Sequence, residues 1–373
     1  MAWRHAATEL LTGHRVSLLH DGEQCLPAML QAIAGAQREI LLEMYWFDSD
    51  STGRSFAQAL SAKAAQGVVV CVTYDAFGSW EADRSMFEQM RAAGCNVYEY
   101  NPLRWFMRFR RRNLRNHRKL LVVDAQLGMV GGTNLADAWA PFAQGGQAFR
   151  DDMVRIEGPA VVQMRETFLH TFRDRKRSRS ALPPSPAPAH VGDTRAMVLS
   201  NDRRGHRRVI ERAYVAAIEG ARTRVLIENS YFIPSFAVRR ALARAVQRGV
   251  DVRVVLPFVS DVPIVSYAAR ALYAHLLTRG IRIYEWGERI LHSKIAVVDD
   301  WCTVGTHNLD YRSFLLNLEI NVVIDDAKVA TALAARIWRD LSESIEIDAT
   351  TWRYRPIFQR LLEHVVYRFR RWL

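Results

Sequence analysis

The sequence lacks any apolar run that approaches the 18 or so residues of a membrane span. Its first residues, MAWRHAATELLTGHRV, also lack the basic-then-apolar pattern of a secretory signal. Cysteine is scarce: Cys25, Cys71, Cys95 and Cys302 are scattered and form no C-x-x-C pair, which argues against a zinc site or a disulfide framework. We therefore expect reduced, mostly buried cysteines in a chain that stays on the cytoplasmic side.

Lysine is the rare cation of this sequence. Among 51 lysines and arginines, only five are lysine: Lys63, Lys119, Lys176, Lys294 and Lys328. The net charge is nevertheless +12, which indicates an anionic partner, either nucleic acid or the acidic surface of a membrane. With 373 residues and 49% hydrophobic content, the chain is long enough for two domains or one large duplicated one.

Two of the five lysines occupy the same position in a phrase that occurs twice. NHRKLLVVD (116–124) and LHSKIAVVD (291–299) share the pattern H-x-K-x-x-x-x-D. Each copy is followed by a glycine turn and an asparagine, GGTN ending at Asn134 and GTHN ending at Asn308. One such pattern arises by chance in about one chain in a hundred, but two matched copies are much rarer and indicate an internal duplication.

The rest of the two halves can also be superimposed. AIAGAQREILLEMYWF (32–47) matches AIEGARTRVLIENSYF (217–232), and matched segments keep their order downstream. Each half alternates helical patterns with apolar strands, which predicts α/β layers. RDRKRSRSALPPSPAPAHVGD, between the halves, has the basic and proline-rich composition of a linker. The predicted organisation is a first half over 1–172, a linker over 173–193, a second half over 194–348 and a basic amphipathic helix within 349–373.

The two motifs suggest a pair of histidines that act on one phosphate. Side chains two apart on a strand share a face, so His117 should point with Lys119, and His292 with Lys294. A neutral imidazole is a good nucleophile near neutral pH, and its conjugate acid is a good proton donor. The lysines and the two asparagines would then hold the phosphoryl oxygens. This scheme needs no metal and no cofactor.

Four carboxylates accompany the motifs. Asp124 and Asp299 complete the repeated pattern and belong to the candidate catalytic set, although their odd spacing of seven positions from the histidines favours a structural role. Asp151 and Glu319 occupy matched places after the motifs. Either carboxylate is able to hydrogen-bond a histidine ring and fix its tautomer.

Two further segments combine arginine with aromatic side chains. The first half carries eleven extra residues within NPLRWFMRFRRRNLRN (101–116), a stretch that also includes Arg115. The last stretch of the chain, RPIFQRLLEHVVYRFRRWL, has apolar residues at helical spacing, and its cations lie mainly on the other side. A basic loop without a special role and a core-packing helix are the alternatives. We expect lipid-headgroup contacts and a helix in an anionic membrane interface. The candidate contact residues are Arg104, Trp105, Arg108, Arg110, Arg111, Arg112, Arg368 and Trp372.

The paired motifs resemble those of the phospholipase D superfamily, which are followed by Gly-x-Asn or Gly-Gly-x-Asn. Phrases such as LLEMYWFDSDSTG, RDDMVRIEGP and IENSYFIP extend the resemblance over nearly the whole chain and look most like the bacterial cardiolipin synthases. The resemblance implies two similar α/β halves, each a mixed sheet flanked by helices, around a pseudo-two-fold axis. It also implies a phosphohistidine on His117, with His292 as acid and then base. In a cardiolipin synthase, His117 would attack one phosphatidylglycerol, release glycerol, and pass the phosphatidyl group to a second phosphatidylglycerol.

The implied partner is an anionic phospholipid membrane that contains phosphatidylglycerol and cardiolipin, with the protein peripheral on the cytoplasmic face of the bacterial inner membrane. Nucleic acid is then not expected as a partner. The same histidines would nevertheless serve a phospholipase D-type hydrolase or a nuclease, and aromatics among arginines also suit single-stranded nucleic acid. A non-catalytic binder is disfavoured because neither motif is degraded. The second copy runs 16 residues from His292 to Asn308 where the first runs 17, so we expect Asn308 to be aimed differently.

Overall fold

The computed structural model of the protein describes residues 10–102, 113–172, 182–187, 189–201 and 208–371. Its strands are β1 (Leu11–His20), β2 (Glu39–Met44), β3 (Val69–Asp75), β4 (Asn96–Tyr100), β5 (Leu120–Val123), β6 (Leu127–Gly131), β7 (Asp152–Glu157), β8 (Thr194–Ser200), β9 (Arg224–Asn229), β10 (Asp251–Pro257), β11 (Arg282–Trp286), β12 (Lys294–Val298), β13 (Trp301–Gly305), β14 (Ile320–Asp325) and β15 (Ser344–Glu346). Its α-helices are α1 (Asp21–Gly35), α2 (Ser51–Ala65), α3 (Arg84–Ala92), α4 (Ala160–Thr171), α5 (Val209–Gly220), α6 (Phe236–Gln247), α7 (Pro263–Leu277), α8 (Tyr311–Leu315), α9 (Ala327–Ser342), α10 (Ala349–Arg353) and α11 (Ile357–Arg368).

The alternation predicted from the sequence is confirmed in both halves. The first half runs α1-β2-α2-β3-α3-β4 and the second runs α5-β9-α6-β10-α7-β11. In each half the three strands pair in parallel, and the strand that carries the motif then forms an antiparallel hairpin with the next strand, β5-β6 or β12-β13. The sheet of each half is therefore mixed.

The strands of both halves join into one sheet. Its order is β15-β11-β10-β9-β12-β13-β14-β8-β1-β7-β6-β5-β2-β3-β4. Apart from the edge strand β15, the order on one side of the β8–β1 junction is the mirror of the order on the other, and β8 and β1 pair antiparallel. This arrangement fits the expected pseudo-two-fold relation, and the predicted fold class is confirmed.

The apolar core is continuous across the two halves. Each half has its own cluster of buried side chains, and a third cluster combines strand residues of both halves with helices α4 and α9. Phe168 of α4 and Ile337 of α9 are fully buried in this shared cluster. The halves are thus packed together by the hydrophobic effect as well as by sheet hydrogen bonds.

A buried arginine also ties the halves together. The guanidinium of Arg150 lies 2.6 Å from Asp152, 2.7 Å from Asp340 and 3.2 Å from Glu228, and it is fully buried. Asp152 belongs to the first half, whereas Glu228 and Asp340 belong to the second. Since a buried cation is costly unless it is paired, this cluster fixes how the halves meet.

The predicted linker is described only over 182–187 and 189–193. There the carbonyl of Pro183 accepts a hydrogen bond from Arg165 at 2.9 Å, and the Val191 amide donates to Gly13 at 2.9 Å. These residues therefore lie along the first half. The domain boundaries themselves stay a prediction.

All four cysteines are buried and free of disulfides, as the sequence predicted. No helix in the described part of the chain combines the length and the apolar character that crossing a bilayer requires.

Candidate active site

Each motif is anchored on the opposite half through its backbone. Around the first motif, the His117 amide donates to the carbonyl of Leu318 at 3.0 Å, and Asn116 forms an isolated parallel β-bridge with Leu318. Around the second motif, the His292 amide donates to the carbonyl of Arg150 at 2.8 Å. The interface between the halves therefore positions both histidines.

The histidine side chains also pair across the interface, each with a carboxylate of the opposite half. Nδ1 of His117 lies 3.1 Å from Oε2 of Glu319, and Nδ1 of His292 lies 2.8 Å from Oδ2 of Asp151. The sequence indicated that these carboxylates are able to hold a histidine, and the structure shows that each holds the histidine of the other half. Because Nδ1 is engaged by the carboxylate, Nε2 is the ring nitrogen left to face a substrate.

Each carboxylate is in turn held by donors that sequence reasoning missed. Glu319 accepts hydrogen bonds from the hydroxyls of Thr306 at 2.5 Å and Ser313 at 2.8 Å. Asp151 accepts one from the indole of Trp139 at 2.8 Å. Trp139 and Ser313 each lie five positions after the asparagine that follows their motif, and this equal spacing was the one signal that pointed to them.

The two histidine–carboxylate pairs differ electrostatically. Burial, and then the charge of Lys119, lowers the pKa of His117. Burial alone would raise the pKa of Glu319, but the charge and the hydrogen bond of His117 outweigh it and lower this pKa to about 2. The first pair is therefore a neutral imidazole that donates to an ionised carboxylate. In the second pair, burial lowers the pKa of His292 and raises that of Asp151 to about 6.

The motif lysines are buried beside their histidines. Nζ of Lys119 donates to the carbonyl of His117 at 2.9 Å and lies 4.9 Å from the centre of the Tyr45 ring, and Lys294 donates to the carbonyl of His292. Burial, followed by the charge of Lys294, lowers the pKa of Lys119 to about 7, and burial lowers that of Lys294 to about 8. The charge of each lysine also lowers the pKa of the other half's histidine, so the two motifs share one electrostatic environment.

The two asparagines lie in matched, buried positions. Oδ1 of Asn134 accepts from the Trp46 amide at 3.0 Å, and Oδ1 of Asn308 accepts from the Ser230 hydroxyl at 2.9 Å. The residue missing from the second copy falls in its hairpin turn, because the turn between β12 and β13 is one residue shorter than that between β5 and β6. The shortening is absorbed there, at least eight residues before Asn308.

Asp124 and Asp299 are not brought to the histidines. The carboxylate of Asp124 accepts hydrogen bonds from the amides of residues 37, 38 and 39 at 2.7 to 2.9 Å, and Asp299 does the same for residues 222, 223 and 224 at 2.8 to 3.0 Å. Both aspartates sit in hairpin turns with left-handed φ angles of 53° and 52°. Their place in the candidate catalytic set is therefore corrected to a structural one.

Among the expected membrane-contact residues, Arg368 is exposed on α11. Arg115, from the basic stretch before the first motif, is instead buried and lies 3.5 Å from Asp75. The remaining candidates lie outside the described residues: Arg104, Trp105, Arg108, Arg110, Arg111, Arg112 and Trp372.

Two α/β halves that each supply a histidine and a lysine, and that meet at these motifs, define a phospholipase D-like protein. A sequence profile described as "Cardiolipin synthase, PLD-like domain" matches residues 29–170 and 214–341. The chain belongs to this family. It is 31% identical over 369 residues to the cardiolipin synthase of Geobacillus thermodenitrificans, in an alignment that covers 98% of this chain and 74% of that protein. It is also 35% identical over 320 residues to cardiolipin synthase B of Escherichia coli K12, which covers 84% and 77%.

Solved structures support the fold. The phosphatidylserine synthase of Haemophilus influenzae Rd KW20 superimposes with a TM-score of 0.72 at 13% identity, covering 95% of this chain and 92% of that one. The polyphosphate kinase of Porphyromonas gingivalis gives a TM-score of 0.60 at 17% identity, covering 90% and 49%. At these identities the likeness concerns the fold alone.

Proposed function

We propose that this protein is a cardiolipin synthase, a phospholipase D-type phosphatidyltransferase that joins two phosphatidylglycerol molecules and releases glycerol. The observation that carries the proposal is the crossed pairing of Glu319 with His117 and of Asp151 with His292. Each carboxylate fixes the tautomer of a histidine in the other half and leaves its Nε2 for the phosphodiester.

In the first step, Nε2 of His117 attacks the phosphorus of one phosphatidylglycerol. The bond from phosphorus to the glycerol oxygen breaks, and His292 gives its proton to that oxygen. The histidine and carboxylate of the first pair suit the nucleophile, because the imidazole is neutral and Glu319 is ionised. The imidazolium that forms on phosphorylation is stabilised by the negative charge of Glu319.

In the second step, His292 removes a proton from a hydroxyl of a second phosphatidylglycerol. That oxygen attacks the phosphorus, the phosphorus–nitrogen bond breaks, and cardiolipin leaves. Before the first step, the anionic phosphodiester bound at the interface raises the pKa of every neighbouring base, so His292 carries the proton that it gives to glycerol and Lys119 and Lys294 are fully charged. The lysines, with Asn134 and Asn308, then stabilise the charge that builds on the phosphoryl oxygens.

The protein would act as a peripheral protein on the cytoplasmic face of the bacterial inner membrane, since its substrates are anionic lipids. The charge of +12 favours this surface. No step of the scheme uses a metal ion.

Incubation with phosphatidylglycerol vesicles and mass analysis of the products tests the proposal. Wild type should yield cardiolipin and free glycerol, with or without a chelator, and His117→Ala should yield neither. Phosphatidic acid as the main product would make the protein a hydrolase, because water rather than a lipid alcohol would then reach the phosphohistidine. Activity that a chelator removes and that zinc or calcium restores would contradict the metal-free scheme.

A further inference from the structure

Helix α11 leaves a continuous apolar face uncovered. It packs against α7 through a side that includes Glu363, which is 3% exposed and pairs with Arg355 at 2.6 Å. The half-buried Val366 and Tyr367 lie on the same side. On the opposite side, large apolar side chains recur at helical spacing and are 47% to 79% exposed: Ile357, Phe358, Leu361, Leu362, Val365 and Phe369.

A second apolar patch begins at the end of β10 and continues into the first turns of α7, the helix on which α11 packs. Its exposed members are Phe258, Val259, Val262, Ile264 and Tyr267. Together, the two patches hold most of the exposed large apolar side chains in the described residues. Exposed apolar surface of this extent marks an interaction site.

The second patch adjoins the second motif, and the chain just beyond α11 also lies close to it. Asp261, inside the second patch, accepts a hydrogen bond from the hydroxyl of Tyr231 at 2.6 Å, and its charge acts on His292. Beyond the end of α11, the guanidinium of Arg370 lies 5.5 Å from the centre of the Tyr311 ring, and Tyr311 follows Asn308 by three positions. A surface that contacts these patches therefore meets the molecule beside its active site.

The edge of the α11 apolar face is cationic. Arg360, His364, Arg368 and Arg371 are exposed and project between the apolar face and the side that packs on α7. A second copy of the chain placed on this face would bring like charges together, whereas an anionic lipid surface complements them.

We propose that the apolar face of α11 and the 258–267 patch form one docking surface, which seats on an anionic bilayer and brings the second motif to the lipid headgroups. The lipid class rests on the proposed function, but the surface itself rests on exposure, charge and position. Docking in this orientation lets a lipid headgroup reach the histidines while its acyl chains stay in the membrane.

The test compares two double substitutions in this surface with one matched double substitution outside it. Phe358→Ser combined with Leu361→Ser removes apolar area from α11, and Phe258→Ser combined with Val259→Ser removes it from the other patch. The control combines Phe142→Ser and Ile345→Ser, which are 65% and 68% exposed but lie outside both patches. Each protein is measured for co-sedimentation with phosphatidylglycerol and phosphatidylcholine vesicles, and for activity on vesicles and on monomeric short-chain phosphatidylglycerol.

Wild type should bind phosphatidylglycerol vesicles more tightly than phosphatidylcholine vesicles. Each docking variant should bind phosphatidylglycerol vesicles about tenfold or more weakly than wild type and lose vesicle activity to the same extent. Its activity on the monomeric lipid should stay within about twofold, because Phe358, Leu361, Phe258 and Val259 take no part in the proposed chemistry. The control should behave as wild type in every assay.

Unchanged vesicle binding by both docking variants overturns the docking surface and leaves the proposed function intact. The docking surface is also overturned if analytical ultracentrifugation shows that the docking variants change from dimer to monomer while their vesicle binding is unchanged. That result would assign the apolar face to contact with a second copy of the chain. If wild type forms no cardiolipin from either substrate, the proposed function fails, and the binding comparison still decides whether this surface docks on lipid.

Discussion

At the scale of single residues, Lys119 is a buried ammonium group whose protonation opposes folding. Its pKa in the native protein is about 7 instead of 10.5. The penalty is fully present below pH 7 and disappears as the pH rises towards 10.5, because only the unfolded chain keeps the proton in that interval. We expect Lys119→Met to raise the free energy of unfolding at pH 7 by on the order of 1–2 kcal/mol and to abolish phosphatidyl transfer, which needs the cation.

Chemical denaturation of wild type and Lys119→Met across this pH range, with transfer assayed in parallel, checks the prediction. The advantage of the variant should shrink as the pH increases. Lys328→Met, on an exposed position, should change neither stability nor activity. A variant that is less stable than wild type at every pH would mean that the contacts of Lys119 with His117 and Tyr45 outweigh the cost of its burial.

The sequence predicted which side chains the two halves bring to their interface better than it predicted how they are held. Duplication and spacing two apart on a strand identified His117 and His292 with their lysines. The crossed pairing with Glu319 and Asp151 was beyond local patterns, because it depends on how two distant segments meet. The supporting donors were missed for the same reason.

At the scale of secondary-structure elements, the carboxylate of Asp124 connects the β5–β6 hairpin to the start of β2 through hydrogen bonds. Asp124→Asn tolerates the left-handed backbone but loses the charge and one acceptor oxygen. We expect it to lower the free energy of unfolding by about 1–2 kcal/mol while activity per folded molecule stays within about twofold. Denaturant titration and the vesicle assay measure the two effects.

Asp299→Asn, in the matched turn of the second half, serves as the comparison for this prediction. It should behave in the same way, because Asp299 holds the start of β9 through the same three-amide pattern. If either variant folded with wild-type stability but lost transfer, that aspartate would return to the catalytic set.

The helices and strands inside the repeat were predictable because each has a local hydrophobic pattern that occurs once in each half. Strands β1 and β8 were not, since their pairing with each other and with β7 and β14 joins segments far apart in the chain. For α11, periodicity located an apolar face. It gave no indication that α7 would cover a different face, because burial is decided by the neighbour and not by the helix itself.

At the scale of the whole molecule, the two halves should unfold together. One sheet runs through both halves and one of the core clusters is shared, so opening either half exposes apolar surface of the other. Arg150→Met tests this coupling, because it leaves Asp152, Glu228 and Asp340 without their buried cation.

We expect Arg150→Met to cost about 3 kcal/mol or more and still to unfold in a single transition, with amide exchange accelerated in both halves. Transfer should fall as well, since the backbone of Arg150 holds the amide of His292 and Asp152 accepts from Ser293, between His292 and Lys294. Arg195→Met is the matched control: its ion pair with Asp325 is short, at 2.6 Å, but the arginine is 53% exposed, so its loss should cost less than about 1 kcal/mol. Calorimetry that resolved two transitions, with only one of them shifted by Arg150→Met, would show that the halves are independent and that something other than their shared interface holds the histidines in place.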